Sequence, residues 1–159
     1  MASITPLASG FRMLPLPLAQ LSLAAVLQCG QSFRWSVFPL ATAANGTTST
    51  EIPSHEYRFC LQDRVVCLRQ TSDAVWYRSV FPPSPLLADE DTREAQTLAW
   101  IQDYFQLEVD LQKLYDEWSS RDPVFSNLRH RFSGIRILRQ DPFECLLSCV
   151  IYYIFSTLS

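Results

Sequence analysis

The hydrophobic pattern of this chain changes period once, at Pro82-Pro83-Ser84-Pro85, and that switch restricts the folds open to it. Before the prolines, aromatic and β-branched residues come in short runs: Ser32–Phe38, Tyr57–Leu61, Arg64–Leu68 and Ala74–Phe81. Turn formers separate them, Ala44-Asn45-Gly46, Gln62-Asp63 and Thr71-Ser72-Asp73, so the runs read as an antiparallel meander. Phe11–Leu18 is apolar but carries Pro15 and Pro17, which cannot donate inside a ladder; this predicts an extended segment at a sheet edge. Pro39–Pro53 is rich in Thr, Ser, Ala, Asn and Gly without apolar periodicity, and is expected to be a mobile insertion (39–53) between two strands. Residues 1–10 are expected to be a disordered lead-in.

After the prolines the apolar spacing becomes helical. Asp91 stands three before Glu94, a capping-box spacing, and Ala95, Leu98, Ile101 and Phe105 then fall on one face. Asp110 is placed to cap a second helix carrying Leu111, Leu114, Tyr115 and Trp118, and Asp122-Pro123 a third with proline at its first position. Ile135–Leu138 reads as a brief β-like run. Asp141-Pro142-Phe143-Glu144 opens a last helix, within which Cys145–Leu158 holds no charged residue and no closing signal. An uncharged run of about fourteen residues suits a core helix better than a membrane span of about twenty, so a membrane role is not expected. The pattern is α+β, strands first and helices after.

With 159 residues, 48% of them hydrophobic, the chain has the material for a core without metal or disulfide. Its cysteines, Cys29, Cys60, Cys67, Cys145 and Cys149, are odd in number and contain no C-x-x-C pair; with two histidines they argue against zinc, and no cofactor is implied. The opening residues carry no positive n-region, so no secretory signal and reduced thiols are expected. Thirteen basic against sixteen acidic residues, a net charge of −3, weigh against non-specific polyanion binding by the whole surface. Any nucleic-acid role must rest on a local patch. Five of the thirteen basic residues, Arg121, Arg129, Arg131, Arg136 and Arg139, fall in one stretch of nineteen. Of these Arg129, Arg131, Arg136 and Arg139 are candidate phosphate contacts. The competing reading is a solvated helix face with salt bridges, since no aromatic residue is interleaved at base-stacking spacing.

Three segments carry a resemblance. Gln28-Cys29-Gly30-Gln31-Ser32-Phe33-Arg34-Trp35, then Tyr104-Phe105-Gln106-Leu107 followed by Leu114-Tyr115 and Trp118, then Ile137-Leu138-Arg139-Gln140-Asp141-Pro142-Phe143-Glu144-Cys145-Leu146 occur in the order in which similar motifs stand in the 8-oxoguanine DNA glycosylases. The resemblance implies a TBP-like domain over 11–140, a twisted antiparallel sheet with flanking helices, with 141–159 as the start of a helix-hairpin-helix domain. It implies damaged double-stranded DNA as partner, base excision repair as activity and the nucleus, with mitochondria as a second address. Family enzymes flip the oxidised guanine out of the duplex, and a lysine amine displaces the base to give a covalent adduct that β-elimination resolves. The resemblance further implies that the Gly30 main-chain carbonyl accepts the N7–H that distinguishes 8-oxoguanine from guanine. An unmatched buried polar group costs about 1–3 kcal/mol, the scale of that discrimination. The plainer reading of Gly30 is a turn into the following strand. Phe33, Arg34 and Trp35 read as structural strand residues, apolar around a partnered arginine.

The chain departs from the family in two ways. Its single lysine, Lys113, lies early in a predicted helix and reads as a solvated charge, so no catalytic residue is assigned; the family's lysine, assisting aspartate and hairpin are expected to lie beyond Ser159. The match also fails after about residue 150, where Val150-Ile151-Tyr152-Tyr153-Ile154-Phe155-Ser156 replaces the family's DNA-contacting asparagines, as a read-through intron or frame error would produce. Three functions are therefore weighed: the N-terminal part of a glycosylase/lyase, catalytically incomplete as this chain; a non-enzymatic module binding DNA or protein through the sheet; and a tail-inserted membrane protein. A monomer prone to aggregate is expected, because the last helix lacks cover.

Overall fold

The computed structural model describes the backbone of residues 10–40, 52–82 and 89–157, and side chains as far as Ile151. The expected disordered lead-in, the Asn45-Gly46 turn and most of the 39–53 insertion lie outside the described residues. Five strands form one antiparallel sheet: β1 (Arg12–Pro15), β2 (Ser36–Pro39), β3 (His55–Leu61), β4 (Arg64–Gln70) and β5 (Ala74–Val80), in the order β1-β5-β4-β3-β2. β2 to β5 are the expected meander, and β1 closes on its far side as an edge strand, where proline costs no ladder bond. Alternation divides the faces. Tyr57 and Phe59 stand opposite Leu68 and Val66, and Tyr77 beside Leu68, all buried; Glu56, Arg58, Cys67, Arg69, Trp76 and Arg78 take the other face.

α1 (Leu23–Gln28) and α2 (Glu90–Tyr104) supply the helical side of the core against the apolar face; α3 (Leu111–Arg121), α4 (Pro123–Leu128) and α5 (Pro142–Thr157) follow, with a 3-10 turn at Arg129–Arg131. Three aspartates cap as their spacing predicts. Asp110 accepts from the amides of Gln112 and Lys113, Asp122 from Val124 and Phe125, and Asp141 from Phe143 and Glu144. The core joins Leu21, Leu23, Val26 and Leu27 from the α1 region to Trp35, the inner sheet residues, Ile101, Tyr104, Phe105 and Leu138. Each such side chain contributes about 1.5–3 kcal/mol relative to exposure. Within it the Trp35 indole N–H donates to the Tyr104 hydroxyl at 3.1 Å, and Phe59, Trp100 and Phe105 pack around the pair.

The structure departs from the sequence pattern at five points. α1 has no counterpart in the sequence reading; Ser22 begins it, its hydroxyl accepting weakly from the Ala25 amide at 3.4 Å. α2 starts at Glu90 after Asp89, without a side-chain cap bond, because Asp91 is drawn to Arg12 of β1 at 2.9 Å. Its buried face contains Glu94 and Thr97 while Ala95 is exposed, since Ser79 and Arg64 both donate to the Thr97 hydroxyl, at 2.7 and 2.9 Å. β2 begins only at Ser36, leaving Ser32–Trp35 as loop, and Phe33 is 69% exposed instead of packing in a strand. Ile135–Leu138 joins no strand; its Leu138 amide donates to the Gln31 side chain, and the Gln31 and Gln106 side chains donate to its Arg136 and Ile137 carbonyls.

Candidate functional site

α1 ends against Cys29, and the chain turns through Gly30 at a φ of +86°, a left-handed value that glycine adopts without a Cβ clash. Nothing lies within 4 Å of where a Gly30 Cβ would stand, and among the described residues no hydrogen bond ends on its carbonyl oxygen. The turn therefore has open space and an unengaged acceptor. Both readings of Gly30 fit this conformation, the turn directly and the acceptor role through the vacant carbonyl.

Gln31 holds the loop in place. Its side-chain N–H donates to the Arg136 carbonyl at 2.8 Å and its side-chain oxygen accepts from the Leu138 amide at 3.0 Å, so one amide side chain pairs with the 135–140 segment as a strand would. Gln140 returns a bond to the Gln31 carbonyl at 2.6 Å. Three residues on, Arg34 donates to Glu144 in the first turn of α5 at 2.7 Å and to the Cys60 carbonyl at 2.6 Å, and its guanidinium lies 4.4 Å from the Phe59 ring centre. The Gly30 turn is thereby tied to the sheet, to the extended 135–140 segment and to the start of α5. Phe33, Ile137 and Phe143, from these three pieces, are each more than half exposed. The sequence assigns no role to Gln31 and Gln140, and to Glu144 only a part in starting the last helix. All three stand inside motif segments quoted for the resemblance, but their spacing in the chain carried no sign that they meet.

The arginines separate. Arg136 is buried, 5% exposed, and its guanidinium donates to the Gln20 carbonyl and side-chain oxygen and to the Gln106 carbonyl; it holds the fold and is corrected as a phosphate contact. Burial pushes its pKa down from the usual arginine value. Arg129 pairs with Asp116 at 2.8 Å, and Arg139 with Asp103 and Glu108, which follows the salt-bridge reading. Arg131 is exposed and forms no ion pair among the described residues, which leaves it the strongest of the four for a phosphate. Lys113 is 84% exposed beside Asp110, on the first turn of α3. Among the described residues no group of His, Cys, Asp and Glu is arranged to hold a metal, and no helix is long and apolar enough to cross a membrane.

An antiparallel sheet backed by helices, with a Gly-Gln-Ser-Phe-Arg-Trp loop locked between α1 and the Asp-Pro-Phe-Glu start of α5, defines an α+β domain. The model of the 8-oxoguanine DNA glycosylase N-terminal domain matches residues 13–146, and the chain belongs to that family. The N-glycosylase/DNA lyase OGG1 of Arabidopsis thaliana is 31% identical over 130 residues, and the N-glycosylase/DNA lyase of Saccharomyces cerevisiae 33% over 133, covering 80% and 83% of this chain. The chain spans only 29% and 31% of those two proteins. The crystal structure of apo 8-oxoguanine glycosylase/lyase from Clostridium acetobutylicum superposes with a TM-score of 0.54 at 28% identity, over 84% of this chain and 38% of that one. The same protein in complex with double-stranded DNA containing cytosine opposite 8-oxoguanine gives 0.51, over 80% and 35%.

Proposed function

We propose that this chain is the N-terminal part of an 8-oxoguanine DNA glycosylase/lyase, that it engages damaged duplex DNA in base excision repair within the nucleus, and that by itself it does not carry out the chemistry. The observation that carries the reading is the Gly30 turn: a main-chain carbonyl with no hydrogen bond among the described residues, backbone with φ +86°, and open space where a Cβ would stand, in a loop held by Gln31 and Arg34. A carbonyl in that position accepts from an N7–H and meets the N7 lone pair of guanine without a proton between them. The covalent step requires an amine nucleophile, and the one lysine of these residues sits exposed on α3 in a pair with Asp110. Domain limits of 11–140 and 141–159 belong to the same proposal.

The test uses a duplex carrying 8-oxoguanine opposite cytosine. No base release and no borohydride-trapped adduct are expected, and the preference for the lesion over guanine is below tenfold, about 1.4 kcal/mol. Trapping that survives Lys113→Ala overturns the account of the missing chemistry, whereas trapping abolished by that change makes Lys113 the nucleophile.

A further inference from the structure

The sheet face turned away from the helices has a chemistry unlike that of the core face. Two rows of side chains cross it. Ser36, Arg58, Cys67 and Arg78 stand side by side on β2, β3, β4 and β5, and in the next row Phe38, Glu56, Arg69, Trp76 and Met13 run from β2 to β1. Glu56, 1% exposed, accepts from Arg58 at 2.6 Å and from two nitrogens of Arg69 at 2.8 and 2.6 Å. Phenylalanine rings support all three guanidiniums: Arg58 lies 4.3 Å from the Phe38 centroid, and Arg69 and Arg78 lie 4.3 and 4.9 Å from that of Phe11.

Sealing an otherwise bare sheet face accounts for Glu56 and its two partners. It does not account for the surplus. One carboxylate, bonded to Arg58 and Arg69 and not to Arg78, stands among three arginines, so two positive charges remain on this face of a chain whose net charge is −3. The Nε of Arg78 is buried without a hydrogen-bond partner, and Phe38 and Met13 remain 40% and 55% exposed among the cations.

We propose that this outer sheet face binds single-stranded nucleic acid, Arg58 and Arg78 meeting the phosphates and the exposed Phe38 ring a base. Guanidinium edges fit phosphate oxygens, and arginine and aromatic side chains interleaved on one surface form a stacking platform that every base can use. A duplex would satisfy the charges only, because its base faces are already covered by their neighbours. An acidic peptide would leave the Phe38 ring and Met13 unmatched. Four strand spacings separate β2 from β1, about 19 Å, a width on which sheets of this kind stack two or three bases. The surface shares no residue with the Gly30 loop and is independent of the function proposed above.

The test is fluorescence anisotropy of a labelled oligothymidylate of about eight nucleotides, titrated with the whole chain between about 50 and 200 mM salt. The affinity is expected to fall with a log–log slope of about −1.4, two phosphates at about 0.7 each. Arg78→Gln should make the slope shallower by about 0.7, and Phe38→Ala should weaken binding about tenfold with little change in slope. Arg121→Gln, on the helical side, should leave binding unchanged. The proposal is overturned if duplex or poly-glutamate displaces the oligonucleotide as well as unlabelled single strand does, if Phe38→Ala has no effect, or if Arg121→Gln abolishes binding. Should a variant fail to fold by circular dichroism, the wild-type competition decides the matter without it.

Discussion

At the residue scale, Glu56 shows how a sheet with helices on one side closes its other side. Burial pushes this carboxyl up, but hydrogen bonds from Arg58 and Arg69, and their charges, outweigh burial and hold it below its ordinary value of 4.5. A carboxylate depressed in the folded state contributes stability that is fully present above its unfolded pKa and lost as pH falls through the folded one. Acid melts should therefore show stability constant down to about pH 5 and falling below 4.5, and Glu56→Gln should flatten that fall. At neutral pH Glu56→Ala is expected to cost about 3 kcal/mol in urea unfolding, because the largely buried Arg69 loses its counter-charge. An unchanged midpoint in the Ala variant would mean that the arginines are held by their phenylalanine stacks alone.

At the scale of the element, α5 has a well-specified start and an uncovered body. Asp141 caps it with two amide bonds, and Glu144 adds the tie to Arg34. Beyond that turn Leu146, Leu147, Val150 and Ile151 are 45–60% exposed, and Phe143 67%. At about 25 cal/mol per Å² of apolar surface, leaving these side chains in water forgoes several kcal/mol, comparable with the stability of a small domain. The isolated chain should bind a hydrophobic dye and self-associate at tens of micromolar, as light scattering will show, and removal of residues 141–159 should raise its solubility. A dye-negative monomer at that concentration would mean that α5 finds cover. The helix starts were legible because capping is local: Asp110, Asp122 and Asp141 each sit within three residues of the amides they satisfy. Asp91 misled because its partner, Arg12, is 79 positions away.

At the scale of the whole molecule, one side chain joins pieces that the sequence keeps far apart. Arg136 donates to Gln20 just before α1 and to Gln106 just after α2, while Gln31 and Gln140 pin the same segment to the Gly30 turn. Replacing it by methionine keeps most of the volume but leaves the Gln20 carbonyl without a donor, while the Gln106 carbonyl and the Gln20 side-chain oxygen keep the Val109 and Leu111 amides; the expected cost is about 2 kcal/mol. Amide exchange should rise at Leu138 and Arg139 before the sheet opens, because those amides are held by Gln31 and the Tyr104 carbonyl. Uniform exchange across sheet and segment in the variant would show that Arg136 does not couple them. The candidate site depends on this arrangement, since the Gly30 loop has no ladder of its own.

Elements whose causes are local can be read from the chain alone: the meander from period-two runs and turn formers, the edge placement of β1 from its prolines, the aspartate-capped helix starts, and the Gly30 motif. The chain alone also shows that one lysine is present and that it stands on a polar helix turn. The tertiary structure decided what depends on partners distant in the chain. It separated Arg136, desolvated among backbone carbonyls, from Arg131, which identical side-chain chemistry had placed in one patch. It buried Thr97 and exposed Ala95, because a hydroxyl with donors waiting on β4 and β5 is better placed inside than a methyl group with none. It also set three arginines of β3, β4 and β5 beside one another on a single face. Strand register converts separations of ten residues or more into neighbours about 5 Å apart, and no period in the sequence records which residues those will be.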